Sequence, residues 1–219
     1  MRNIDRPRHL LAVGLAAQAG FVDALGFLKL GGLFVSFMSG NSTRMAVGVA
    51  AGSAIALNAA ELIAAFVAGV VAGALVGRAA GQWRKPAVLG LALALLLLAA
   101  LQTLSGSPGT GLTLLMAAAM GSVNNVFQRD GEVSVGVTYM TGTLVKLGQQ
   151  VAAALMGGDA LCWLPYLLLW LGLVAGAVCG ALLFAAMDLQ ALWIACLWCV
   201  LLLGWSVRLG PVPAPRDLA

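Results

Sequence analysis

The sequence predicts an all-α membrane protein with six transmembrane helices and two polar-centred re-entrant (discontinuous) segments, arranged as a 3+3 inverted repeat. Three observations predict it. The chain is 62% apolar and 9% charged, with a mean hydropathy of +1.00. A soluble domain carries roughly 25% charged residues, so this chain cannot cover its surface in water. Apolar runs of membrane-spanning length occupy 86–104, 163–186 and 189–207. The polar stretch "FVSFMSGNSTR" (34–44) returns about a hundred residues later as "GVTYMTGTLVK" (136–146). Alternating ten-residue strands are absent, which argues against an outer-membrane barrel.

The two polar stretches align at an offset of 102: Ser36 meets Thr138, Phe37 meets Tyr139, Gly40 meets Gly142 and Arg44 meets Lys146. Upstream, "GFVD" (20–23) meets "GSVN" (121–124) at 101, and downstream "GVVAGALVG" (69–77) meets "GLVAGAVCG" (172–180) at 103. Three matches in order at a nearly constant offset indicate an internal duplication, a property of many transporters and channels.

Each half then holds the same four pieces. The first, 1–104, has spans at about 9–29, 56–78 and 86–104 and a re-entrant segment at 31–53. A Ser/Gly/Pro-rich linker covers 105–110. The second, 111–208, has spans at about 111–128, 163–186 and 188–207, a re-entrant segment at 133–157, and a tail at 209–219. The N-terminus resembles a signal peptide with an A-Q-A site before Gly20, but apolar character continues through Leu28 and the repeat requires the segment to stay.

Basic residues choose between six and eight crossings. If 31–53 and 133–157 crossed, five basic residues would lie on each side. If they turn back, Arg2, Arg6, Arg8, Arg78, Arg84, Lys85, Arg129, Arg208 and Arg216 all fall inside, and only Lys29 outside. The second distribution obeys the positive-inside rule. It places both termini on the cytoplasmic side and sets the halves upside down relative to each other.

Irregular backbone at membrane depth needs protein or a water-filled cavity to satisfy it. In "MSGNSTR", Gly40 permits a tight turn and Ser39, Asn41, Ser42 or Thr43 can cap the following helix. Its first turn then presents bare N–H groups and about half a positive charge. The second half brings Thr141, Gly142 and Thr143 to the same depth, near Asn124 and Asn125. Two opposed helix starts with Arg44 and Lys146 one turn in describe a site for an anion. A cation there is costly, so it calls either for a carboxylate, Asp23 or Glu61, or for a bound anionic group. Either acid also suits proton coupling, although Glu61 can equally snorkel to the interface.

Glycine at every fourth position (Gly69, Gly73, Gly77; Gly172, Gly176, Gly180) lets another helix lie close, within the chain or in a homodimer. Trp83, Trp163 and Trp205 sit near span ends as interface anchors. Cys196 and Cys199 form C-L-W-C inside an apolar span without further ligands, which favours small buried hydrophobes over a metal or redox pair. No nucleic-acid partner is expected, since the basic residues are scattered, and no metal or cofactor, since the sequence offers no cluster of ligands. Enzyme chemistry is not expected either: the one histidine, His9, is at the edge, and Asp23 meets Asn124 where a second acid would be needed.

At "GFVDALGF…GLFVSFMSGNST" and "MGSVNNVFQ…VGVTYMTGTLVKLG" the chain resembles the YoaK-like bacterial membrane proteins, which carry a domain of unknown function. The resemblance runs over nearly the whole chain. It implies a bacterial inner-membrane protein of about this size and brings no substrate or catalytic residues. The functional expectation is therefore physical: a secondary transporter of a small anionic solute, with a passive solute or ion channel, or a structural or regulatory membrane subunit, as alternatives.

Overall fold

In a computed structural model of the chain, residues 6–105, 109–129, 132–133 and 136–211 are described. They form eight α-helices: α1 (Arg6–Lys29), α2 (Met38–Ala50), α3 (Ile55–Ala79), α4 (Arg84–Gln102), α5 (Thr110–Val123), α6 (Met140–Leu155), α7 (Leu164–Met187) and α8 (Leu192–Arg208). Two antiparallel two-residue strands, β1 (Gln128–Arg129) and β2 (Glu132–Val133), join α5 to α6. They depart from the expected purely helical chain.

Among the described residues, four stretches are long and apolar enough to cross a membrane: Arg6–Lys29, Ile55–Ala79, Gly81–Ser105 and Leu164–Arg208, the last containing both α7 and α8. Helix α5 is apolar but shorter. The span expected at 111–128 stops at Val123 because the polar residues there turn to nearby backbone. Ser122 donates to the Ala119 carbonyl at 2.8 Å and Asn124 to that of Met120 at 3.0 Å. Such local bonds compete with helix continuation. The expected linker 105–110 partly lies outside the described residues, and α5 already begins at Thr110. The span expected at 188–207 starts late, at Leu192, after a 3₁₀ turn over Asp188–Ala191.

Helix packing follows the glycines. A Cβ added at Gly176 would fall on the Ala17 carbonyl, and one at Gly180 would lie 2.6 Å from that of Phe21. Added at Gly69 it would fall on Ala118, and at Gly73 it would lie 2.8 Å from the Ser122 carbonyl. The pair α1–α7 and the pair α3–α5 therefore repeat one contact, each joining a helix of one half to a helix of the other. The equivalence pairs Gly69 with Gly176 and Gly73 with Gly180, an offset of 107. This corrects the offset of 103 expected from sequence. A glycine row with period four matches itself when slid by one helical turn, and the contacts choose the slid register.

Packing contacts and hydrogen bonds fix the helix directions. Gly172 meets Val13 and Gly180 meets Phe21, so α1 and α7 run parallel; α3 and α5 do likewise. Trp198 donates to Gly14 and Gln18 to Ala195, so α8 runs against α1. Gln190, just before α8, donates to Thr103 at the end of α4, and Cys199 donates to Leu89, so α8 also runs against α4. Helices α1 and α4 thus point the same way. The core between them holds Leu15, Leu89, Leu96, Met116, Met120 and Leu192, all fully buried. Cys196 and Cys199 are buried among them.

Candidate functional site

The turn in the first polar-centred segment lies not at Gly40 but at its start, at Gly31 and Gly32, whose φ values of 62° and 114° turn the chain back after α1. Both conformations are in the region glycine adopts at little cost. The adjacent glycines of "LGGLF" (30–34) are the sequence signal for this turn. From there the chain runs back along α1. Val35 packs where a Cβ on Gly26 would stand, and its N–H and that of Ser36 both donate to Asp23 Oδ1 at 2.8 Å. Asn41 then reaches back: its Oδ1 accepts from the Phe34 N–H at 2.9 Å and its Nδ2 donates to the Phe34 carbonyl at 2.6 Å.

Two expectations are corrected here. Gly40 makes no turn; it lies inside α2, and its missing Cβ leaves room for the Phe37 ring. None of Ser39, Asn41, Ser42 and Thr43 caps the helix. Helix α2 starts at Met38 with no side-chain cap, because the Asp23 and Asn41 bonds hold Phe34–Ser36 out of the helix immediately before it. Ser42 and Thr43 instead donate to the carbonyls of Met38 and Ser39, four residues back, a bond such residues make inside helices.

The second segment repeats the plan with different chemistry. Helix α6 starts at Met140, again uncapped by a side chain, and Gly142 makes room for the Tyr139 ring as Gly40 does for Phe37. Asn124, which aligns with Asp23, accepts from the Thr138 hydroxyl at 3.1 Å. Thr143 stands where Asn41 does, but donates to the Tyr139 carbonyl at 3.3 Å. Asn125 leaves the site: it is buried and donates to the Val70 carbonyl at 3.0 Å, tying α5 to α3.

Arg44 is half-buried, its guanidinium about 3.0 Å from where a Cβ on Gly32 would sit. Neither expected carboxylate pairs with it among the described residues: Asp23 holds the returning loop, and Glu61 is half-buried on α3. Lys146, Thr141, Ser39, Ser42 and Thr43 are exposed, Gly40 and Gly142 are partly so, and Thr143 is buried. Helix α2 packs on α3 and α6 on α7, and α2 and α6 make no substantial contact with each other among the described residues. The structure thus groups the predicted residues into two similar sites. A cavity of about 310 Å³ lies elsewhere, between α1, α7 and α8, with an apolar lining that includes Ala17, Phe21, Gly176 and Trp198.

Residues 11–205 match the family described as "Protein of unknown function (DUF1275)". The chain is also 40% identical to a UPF0700 transmembrane protein of Rhizobium meliloti (strain 1021), over 92% of its own length and 88% of that protein's. No solved structure matches it. With mirrored glycine contacts, membrane-length apolar helices and a match across nearly its whole length, the chain belongs to this DUF1275 family of transmembrane proteins.

Proposed function

We propose that the protein is a secondary transporter of a small anionic solute in the bacterial inner membrane. It would have six crossings, cytoplasmic termini and two re-entrant segments built around α2 and α6. Helix direction supports the six-crossing reading. Only α2 and α3 lie between α1 and α4 in the chain, and α1 and α4 point the same way. Two crossings between them would complete a sequence up, down, up, down and set α4 against α1. One crossing restores the observed direction, and α3, with 25 residues, is the one long enough. At 1.5 Å per residue α2 extends about 20 Å, against a hydrocarbon core of about 30 Å. The same argument applies to α6 between α4 and α8. With α2 and α6 turning back, α1 and α5 run oppositely, so the halves are inverted and the basic residues fall inside.

The observation that carries the transport reading is the mirrored pair of short helices, α2 and α6, each starting without a side-chain cap after a loop tied to the preceding span. Their first-turn amides, with Ser39, Thr141, Arg44 and Lys146, supply donors and positive charge suited to an anion. In this reading the solute passes between the two starts, which are carried on α3 and α7 respectively. Thermal-shift screening of the purified protein against chloride, nitrate, sulfate, phosphate and short carboxylates tests this, followed by proteoliposome flux of any stabilising anion. The expected result is uptake driven by a pH gradient and lost in Arg44→Gln. Flux indifferent to the gradient identifies a passive channel. Neither stabilisation nor flux with any anion defeats the transport reading and favours a structural subunit.

A further inference from the structure

The two re-entrant loops are fastened differently. On the first side, a carboxylate takes two backbone amides: Val35 and Ser36 both donate to Asp23 Oδ1 at 2.8 Å. On the second, an amide oxygen takes one hydroxyl, that of Thr138, at 3.1 Å. Hydrogen bonds to an ionised acceptor are roughly twice as strong as neutral ones, and only the first fastening can change its charge. We propose that Asp23 is a proton-operated latch: ionised, it holds the first re-entrant segment against α1, and protonated, it releases that segment, while Asn124 keeps the second segment fastened at any pH.

One proton from the aqueous phase adds to the carboxylate, and no other bond is exchanged. The segment is built to move as a unit, because Asn41 clamps Phe34 from within it and the Gly31–Gly32 turn provides the hinge. The Ser36 hydroxyl also bonds to Asp23, but among the described residues no titratable side chain takes over the role. Around Asp23, α1 carries Arg6, Arg8, His9 and Lys29, α2 carries Arg44, α7 carries Tyr166 and Cys179, and α8 carries Cys196, Cys199 and Arg208. Asp188 lies in the turn before α8, and α5 has no titratable residue. Among the described residues none of these bonds to Asp23. The inference rests on the re-entrant reading of 31–53 given above, but not on transport, and it places the coupling proton on the fold rather than on the solute.

The test uses the full chain in proteoliposomes with its four cysteines replaced by serine, carrying Ser39→Cys or Thr141→Cys. These exposed positions are equivalent, and each has a cation five residues later. Methanethiosulfonate labelling is timed in acid and alkaline buffer, and the ratio of the two sites' rates cancels the reagent's own pH dependence. The expected result is a ratio, Ser39→Cys over Thr141→Cys, that rises severalfold in acid. Asp23→Asn should abolish the rise. Asn124→Asp should give Thr141→Cys an acid response of its own, which keeps the proposal testable where Asp23→Asn fails to fold. A ratio independent of pH in the otherwise native chain, or an acid response surviving Asp23→Asn, overturns the latch. Absence of anion flux with an intact acid response would instead leave the latch standing and remove the transport reading.

Discussion

Asn41 holds Phe34 by both of its backbone groups, accepting from the N–H at 2.9 Å and donating to the carbonyl at 2.6 Å. The side-chain amide thereby acts as a one-residue β-partner for irregular backbone whose N–H and carbonyl would otherwise be left unsatisfied. Its neighbour contacts continue the clamp, since the Phe34 ring packs on those of Phe27 and Phe37.

Asn41→Asp keeps the shape and the acceptor but removes the donor, leaving the Phe34 carbonyl facing a carboxylate. Loss of a buried bond of this kind costs about 1–3 kcal/mol. A clear drop in the thermal midpoint of the detergent-solubilised protein is expected. Thr143→Ala, at the equivalent place, should lower it less, because Thr143 bonds only within its own helix.

The glycine contacts separate into essential and idle ones. Gly176→Ala and Gly69→Ala drive a methyl group into the carbonyls of Ala17 and Ala118, whereas a Cβ at Gly90 or Gly204 meets nothing within 4 Å. Overpacking costs about 1–3 kcal/mol where the neighbour can shift and more where it is backbone. Gly176→Ala and Gly69→Ala should lower the thermal midpoint and the yield of monodisperse protein, with Gly90→Ala and Gly204→Ala unchanged. Equal behaviour of all four would remove the close α1–α7 and α3–α5 contacts.

Gly40 and Gly142 face the same ring position, but the rings differ in freedom. Tyr139 is 70% exposed, while Phe37 is 38% exposed and packed on Phe34. Gly142→Ala should be tolerated by swinging the tyrosine outward, and Gly40→Ala should destabilise more. The comparison is read from paired thermal melts, and the reverse order would contradict it.

Crossing number is read by labelling. With 31–53 re-entrant, Leu30→Cys and Ser53→Cys in a cysteine-free background react with an impermeable maleimide from the same, outer face of right-side-out cells. With α2 crossing, they react from opposite faces. The parallel course of α1 and α4 leads us to expect the first outcome.

The sequence by itself determined that this is a membrane protein and the approximate place of every long helix, because hydropathy is a local property of the chain. It also marked both polar-centred segments and the residues at their starts. Tertiary structure decided what those residues do. Asp23 reads from sequence as a partner for Arg44, yet it spends its oxygen on two amides twelve and thirteen residues away. Gly40 reads as a turn and serves as a seat for a ring, while the turn belongs to Gly31 and Gly32. The glycine rows match at an offset of 103 in sequence, yet the glycines that make equivalent contacts stand 107 apart. In each case several partners were chemically acceptable along the chain, and only close packing of helices distant in sequence could select one.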